Sequence, residues 1–353
     1  MDRTSGTKVT YEAKGASEVA ISAGIPRIGP GGQEMYYTRV IRRWHNRWRK
    51  GGTTDMTTVT EHYGISGEVP FLDVHVDRDN LVFLDPSAIR NDHSPRGRAA
   101  YGQLRTLFTE VVTAARSNDA ADHARGRELL RHMHEPNETR MGMSQGGAHG
   151  KGFGNELSDN FWDELRANPA CQNAVLERLE DTRVFLGHVG DDRISDMTTR
   201  IIFNVLAEFT QEMMDMYPAL RAGATTRQSD VWVDGSEWKP QSFTLPHCAG
   251  KQLLLVPREW VFWRTLMEPV QFYNRFATQV VQEESATVDP KGKRRVRSKR
   301  AIKKDNPSVR PLNNAKAVEY KTEHDRDLVR EYRAYVDMNF QPMSAEEAAR
   351  RMG

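Results

Sequence analysis

Cysteine is scarce in this sequence, with only Cys171 and Cys248 among 353 residues. Two cysteines exclude a disulfide framework and a four-cysteine zinc site, and such low usage is typical of the reducing cytoplasm. Long apolar runs are also missing, since none approaches the roughly 18 residues that cross a bilayer. The N-terminus carries no apolar signal core either. We therefore expect a cytoplasmic protein with no membrane partner.

Positive charge is unevenly distributed along the chain, although the net charge is only +2. Residues 39–50 include six basic residues and no acid, and residues 291–304 include nine and no acid. The remainder of the chain therefore carries −13. An acidic body with basic segments is typical of proteins that contact a polyanion, whereas a solvated loop and tail would give the same pattern. Nucleic acid is the predicted partner, with Arg294, Arg295 and Arg297 as candidate phosphate contacts.

Three regions differ in composition. Residues 1–55 are rich in Gly, Thr and Ser, which predicts a disordered or non-core basic extension. Residues 56–284 carry helical and strand patterns and are predicted to form a mainly helical core with short strands. Residues 285–353 combine the second basic segment with C-terminal helices.

Helical periodicity dominates the predicted core. Residues 97–117 place Leu104, Leu107 and Phe108 on one face. Residues 193–216 predict the longest helix, which Tyr217-Pro218 should stop.

Strand signals are short and adjoin turns, as at Ala249-Gly250. Further strand signals lie at residues 71–77, 81–84, 231–233, 242–245 and 252–256. Residues 71–77 alternate, with Val74 and Val76 on one side, and residues 78–80 predict a hairpin turn toward residues 81–84. A second hairpin is predicted for residues 242–245 and 252–256 around Ala249-Gly250. The sequence predicts an α+β fold, predominantly helical with a small antiparallel sheet.

Aspartates recur on the predicted strand and at predicted helix starts. Carboxylates that converge from such elements hold Mg²⁺ or Mn²⁺ in enzymes that cleave phosphodiesters. The same residues are also ordinary on a solvent-facing strand edge or as helix caps. The candidate catalytic residues are Asp73, Asp77, Asp85, Asp191 and Asp196, and the candidate metal ligands on the strand are Asp73, His75 and Asp77.

A glycine-rich segment lies between two predicted helices. Residues 142–154 contain six glycines, whose backbone amides can approach an anion closely just before a helix begins. The segment is not a Walker loop, because Gln145 stands at the first glycine position and Gly152 replaces the Ser or Thr. A flexible connection is the alternative. The candidate phosphate-binding residues are Arg140, Gly147, Gly150, Lys151, Gly152 and Gly154.

Two stretches resemble an uncharacterised group of bacterial proteins, loosely associated with mobile-element or anti-phage defence loci. The first runs from His134-Glu135-Pro136 through Gly154, and the second reads Asp-Arg-Ile-Ser-Asp-Met-Thr-Thr at residues 192–199. The likeness also includes residues 81–89 and 245–258, so it spans most of residues 56–340. The resemblance implies a nucleic-acid context and no particular activity.

Two hypotheses follow from these features, and they leave open whether the protein is an enzyme. The first is a metal-dependent nuclease or phosphodiesterase of a bacterial defence or mobile-element system, with Mg²⁺ or Mn²⁺ as cofactor. The alternative is a non-catalytic nucleic-acid-binding or sensor subunit with a protein partner from the same locus. Carboxylates that share a metal lie within about 6 Å of one another, so their placement separates the two hypotheses.

Overall fold

The computed structural model describes residues 57–133, 136–142, 151–233 and 237–352, with the main chain alone for 151–155. The predicted extension, residues 1–55, lies outside these ranges, as does its basic segment at residues 39–50.

Helices make up most of the described secondary structure, and several begin at a side chain that caps their first amides. Ser94, for example, accepts a hydrogen bond from the amide of Gly97 at 3.0 Å, and Pro95 supplies the first helical position. None of the described helices has both the length and the apolar character needed to cross a membrane. The helices are α1 (Val59–Tyr63), α2 (Pro86–Asn91), α3 (Pro95–Arg116), α4 (Ala120–Arg131), α5 (Lys151–Ala167), α6 (Pro169–Gln172), α7 (Thr182–Phe185), α8 (Asp191–Ile201), α9 (Phe203–Met216), α10 (Pro269–Phe272), α11 (Thr278–Glu284), α12 (Lys299–Asp305), α13 (Val309–Glu323), α14 (Leu328–Met338) and α15 (Ala345–Met352).

The described strands form four two-stranded antiparallel sheets, so the predicted fold class is confirmed. The longest pair has nine residues in each strand. A much shorter pair closes at Ala249-Gly250, where both residues have positive φ. The turn is where it was predicted, but its strands are His247–Cys248 and Lys251–Gln252, because residues 242–245 pair with residues 225–228. The pairs are β1 (Phe83–Leu84) with β6 (Val261–Phe262), β2 (Thr225–Val233) with β3 (Glu237–Leu245), β4 (His247–Cys248) with β5 (Lys251–Gln252), and β7 (Thr287–Val288) with β8 (Arg294–Arg295).

The hydrophobic core extends from the first described helices to the last. The predicted face of α3 is buried, with Leu107 and Phe108 no more than 1% exposed. Burial of each such side chain stabilises the fold by about 1.5–3 kcal/mol. Near the C-terminus, Leu328 and Tyr332 of α14 are fully buried in the same cluster, and the Tyr332 hydroxyl accepts from the amide of Glu268 at 2.9 Å. The helices after the basic segment therefore share one core with the preceding elements.

The predicted strand at residues 71–77 keeps its alternation of burial but does not form a hairpin with residues 81–84. Val74 and Val76 are buried, as predicted, yet β1 pairs with β6 instead. Asn80 explains the difference. Its side-chain oxygen accepts a hydrogen bond from the main-chain amide of His75, and its side-chain nitrogen donates to the carbonyl of His75. The main-chain amide of Asn80 donates to the carbonyl of Arg140 at 2.8 Å. The chain is thus tied to Arg140 at the point where a hairpin would have turned back.

The predicted long helix at residues 193–216 is divided into α8 and α9 at Ile202, whose φ of −100° and ψ of 21° interrupt the helix. Just before the break, the hydroxyls of Thr198 and Thr199 donate to the carbonyls four residues earlier, at 2.6 and 2.8 Å. Such bonds compete with the helical pattern and bend helices. The stop at Tyr217-Pro218 is confirmed.

Candidate nucleic-acid interface

The second basic segment forms an exposed hairpin followed by a short helix. Strands β7 and β8 pair with Val288 opposite Arg294, and Ser298 caps the first turn of α12. We call residues 287–305 the basic ribbon. Six of the nine basic residues lie in β8 and α12, and Lys291, Lys293 and Arg297 lie in the turn and in the segment that joins the strand to the helix.

Asp289 shapes the turn of the basic ribbon. Its carboxylate accepts hydrogen bonds from the amides of Lys291 and Lys293 at 3.0 and 2.9 Å. Gly292 has a φ of +75°, a conformation that glycine adopts at little cost. The turn was not predicted, although Asp289-Pro290 followed closely by glycine is a turn signal in the sequence. The turn holds two lysines at the tip of the hairpin.

Most cations of the basic ribbon have no acidic partner. Arg295 pairs with Asp289 at 3.2 Å, Arg297 forms a salt bridge with Asp305, and Lys299 donates to a main-chain carbonyl. The other six side chains are exposed and make no ion pair with any carboxylate in the described ranges. These six unpaired cations are Lys291, Lys293, Arg294, Arg300, Lys303 and Lys304.

The basic ribbon is anchored to the helical body at its base. The side-chain amide of Gln282 donates to the carbonyl of Arg297 at 2.7 Å, and the amide of Arg297 donates to the hydroxyl of Ser285 at 3.0 Å. Ile302 of α12 is fully buried. These contacts hold the base of the ribbon against α11, so its main chain loses little conformational freedom when a ligand binds.

Asp85, a predicted metal ligand, is buried and caps α2. Its carboxylate accepts hydrogen bonds from the amides of Ser87, Ala88 and Leu266 at 2.7, 3.0 and 2.7 Å. Only 1% of the residue is exposed. In the structure Asp85 fixes the start of a helix and the loop that passes it.

Asp191 is also buried, and it contacts the same loop. It lies 3.2 Å from the Arg183 guanidinium and accepts from the amide and hydroxyl of Thr265 at 3.1 and 2.6 Å. Burial opposes ionisation, but Arg183 and Thr265 outweigh it and hold the pKa of Asp191 below its ordinary value. Since Leu266 binds Asp85, the structure brings these two predicted ligands to adjacent residues of one loop.

The other candidate carboxylates lie apart from this loop contact. Asp73 accepts from the amide and hydroxyl of Thr60 at 2.9 and 2.6 Å, which anchors α1. Burial and the nearby Arg78 lower the pKa of His75, Asp77 is exposed, and Asp196 lies half-buried on α8. In the part of the chain that the structure describes, no group of three or more His, Cys, Asp or Glu side chains is arranged to hold a metal ion.

Replacement of Asp85 by asparagine should change how stability depends on pH. Burial raises the pKa of Asp85 to about 6 from 3.8, so the native state binds its proton more tightly than the unfolded state. The stability that the protonated form contributes is present below pH 4 and is lost as the pH rises to about 6, by about 2–3 kcal/mol. We expect the unfolding free energy of the wild type, relative to Asp85→Asn, to fall by this amount across that interval in urea titrations. A constant difference would contradict the prediction.

The glycine-rich segment is only partly described. Gly147 and Gly150 lie outside the described residues, while Lys151, Gly152 and Gly154 lie in the first turn of α5. Arg140 is 8% exposed and has a φ of 58°; its guanidinium donates to the carbonyl of Cys248 at 2.8 Å. The Arg140 side chain therefore supports the β4–β5 hairpin. The phosphate-binding role of the segment stays a prediction.

Comparison with known proteins identifies one family. A family model described as "Domain of unknown function (DUF8370)" matches residues 64–267, more than half of the chain. The match fits the predicted resemblance to an uncharacterised group, and it ends before the basic ribbon begins. Neither the curated proteins nor the solved structures gave a match.

Proposed function

The chain belongs to the family described as "Domain of unknown function (DUF8370)", and we propose that this member binds nucleic acid through its basic ribbon. The observation that carries the proposal is the group of six unpaired cations on one anchored hairpin and helix. Phosphate contacts by Lys and Arg release the counterions that surround a nucleic acid, and this release drives binding.

The shape of the basic ribbon also supports the proposal. The major groove of B-form DNA admits a two-stranded β-ribbon or a helix, and the basic ribbon contains a β-hairpin followed closely by a helix. Arg294 belongs to the strand β8, and Lys303 and Lys304 belong to the helix α12. A phosphate backbone that runs along the ribbon can thus contact cations of both elements.

The acidic remainder of the chain supports orientation of the ligand. Outside the two basic segments the net charge is −13, so a polyanion is repelled from the surface at large. Attraction is then confined to the basic segments. Of these, the basic ribbon lies within the described structure.

Removal of three unpaired cations should weaken binding strongly. We expect Lys291→Gln, Lys293→Gln and Arg294→Gln, combined in one variant, to lower affinity for a duplex of about 20 base pairs by roughly 10- to 100-fold, because three phosphate contacts are lost. Fluorescence anisotropy with labelled DNA and RNA measures the affinity.

The matched control neutralises three exposed cations in other elements, Arg105, Arg227 and Lys251. This control should retain affinity within about twofold of the wild type, since its charges lie outside the ribbon. Equal losses in the two variants would attribute binding to net charge and reject the ribbon as the interface.

We propose a cytoplasmic setting and a bacterial defence or mobile-element system as the source of the nucleic acid. Both cysteines, Cys171 and Cys248, are free and buried, which suits a reducing compartment. The resemblance to bacterial proteins of such loci supports the assignment to a defence or mobile-element system. We also propose a protein partner from the same locus. The arrangement of the described carboxylates favours binding over metal-dependent cleavage. Incubation of the protein with the same nucleic acids, in the presence of Mg²⁺ or Mn²⁺, tests cleavage directly.

A further inference from the structure

A cavity of about 300 Å³ lies at the base of the basic ribbon. Its walls come from α11 and the turn before it, from α12, and from α14 together with the loop that precedes that helix. Lys299, the first residue of α12, belongs both to the ribbon and to the cavity. The side chains that matter for its chemistry are Arg275, Gln279, Lys299, Arg326, Glu331 and Tyr335.

A π-helical turn at Tyr273–Ala277 places Arg275 in the wall of this cavity. Such turns insert an extra residue into a helix and are frequent at functional sites. The Arg275 guanidinium lies 4.5 Å from the centre of the Tyr335 ring. It makes no ion pair with a carboxylate in the described ranges, so an aromatic face positions the charge without neutralising it.

Lys299 supplies a second cation without an acidic partner. Its ammonium donates to the carbonyl of Asn274 at 3.1 Å, a neutral acceptor that leaves two of its three N–H groups available. The bond holds the ammonium against the turn that carries Arg275. Two full positive charges therefore face one small space.

Arg326, the third cation of the cavity, is paired with acidic residues. Arg326 binds Glu331 through two hydrogen bonds, at 2.7 and 2.9 Å, and lies 3.8 Å from Glu283. Glu331 is the acid in the lining, and Arg326 neutralises it. The lining itself carries about +2, from Arg275, Lys299 and Arg326 against Glu331, and the exposed Glu283 beside Arg326 lowers the local charge toward +1. Arg275 and Lys299 are the two cations of the lining that form no ion pair among the described residues.

The geometry points to a phosphate-monoester site, and we infer that the cavity binds the terminal phosphate of a nucleic-acid strand or of a free mononucleotide. The guanidinium of Arg275 and the ammonium of Lys299 donate to the phosphate oxygens. One N–H of the Gln279 side-chain amide donates to Glu283 at 3.0 Å, and its second N–H is a further donor for the phosphate. A terminal phosphate presents three free oxygens to these donors, whereas a backbone phosphate presents two, so the cavity favours ends. For the strand as source the inference rests on the proposed function; for the mononucleotide it does not.

The test compares labelled single strands of one sequence with a phosphate at the 5′ end, at the 3′ end or at neither. We expect the wild type to bind one of the phosphorylated strands about tenfold more tightly, the usual effect of charge-assisted hydrogen bonds. Arg275→Gln should abolish the preference and leave affinity for the unphosphorylated strand unchanged. Arg330→Gln, an exposed arginine of α14 outside the cavity, should retain it.

The variant in which Lys291, Lys293 and Arg294 are replaced separates this inference from the proposed function. This variant should bind all three strands more weakly, but the ratio of its affinities for the phosphorylated and unphosphorylated strands should stay as in the wild type. If no strand binds, the proposed function fails, and calorimetry with AMP and inorganic phosphate then tests the cavity alone. Binding of AMP that Arg275→Gln removes, with an unchanged melting temperature, supports the site. Equal affinity for all strands, together with no AMP binding, overturns it.

Discussion

Replacement of Arg333 by methionine is expected to lower the free energy of unfolding by about 3–5 kcal/mol. Arg333 lies on α14 and is 5% exposed. It binds Asp181, which is fully buried, through two hydrogen bonds at 2.8 and 2.7 Å. Methionine fills similar space but leaves the carboxylate without its counter-charge in the interior. The loss of that counter-charge, rather than of packing, accounts for the expected cost.

Arg330→Met is the matched control for this prediction. Arg330 lies on the same helix but is exposed, so its replacement should change stability by no more than about 0.5 kcal/mol. Urea titrations at neutral pH measure the free energy of unfolding of both variants. If its slope against urea concentration equals that of the wild type, the two-state comparison holds. If Arg333→Met were as mild as the control, the buried pair would contribute no more than a surface one.

Replacement of Trp162 by alanine is expected to cost about 3–5 kcal/mol, because it empties the space of a fully buried ring. Gly126 on α4 lies directly against that ring. A Cβ added at Gly126 would lie 2.3 Å from two ring carbons and 2.9 Å from the Cβ of Ala114. Gly126→Ala alone should therefore destabilise the protein by about 1–3 kcal/mol despite alanine's better helix propensity.

The two replacements should not be additive. Once Trp162 is alanine, the ring contact is gone and the contact with Ala114 is what remains of the clash. The cost of Gly126→Ala should then fall by about 1–3 kcal/mol, which a double-mutant cycle measures by thermal or urea unfolding. Additive losses would show that α4 and α5 do not meet at this contact as described.

The sequence predicted those parts of the fold that depend on local periodicity. The buried face of α3, the helix stop at Tyr217-Pro218 and the turn at Ala249-Gly250 each follow from residues close together in the chain. The break at Ile202 was missed because the apolar positions keep their helical spacing across it. The pairing of β1 with β6 joins residues far apart in the chain, which a local pattern does not reveal.

The candidate site was predictable in its charge and not in its geometry. Nine basic residues in fourteen positions identify the basic ribbon. The sequence does not distinguish an aspartate that caps a helix from one that binds a metal. Asp85 precedes Pro86, a helix-start signal, and the structure uses it as a cap. The cavity depends on Arg275, Lys299 and Tyr335 meeting from three elements. No spacing in the sequence indicates that meeting.

The salt dependence of nucleic-acid affinity tests the central claim, that the basic ribbon binds a phosphate backbone. Anisotropy titrations with duplex DNA between about 50 and 200 mM NaCl give the slope of log affinity against log salt concentration. Contacts by the six unpaired cations predict a slope of about −5, and the variant in which Lys291, Lys293 and Arg294 are glutamines should show about −3. A wild-type slope near zero, or the same slope in the variant, would contradict the account.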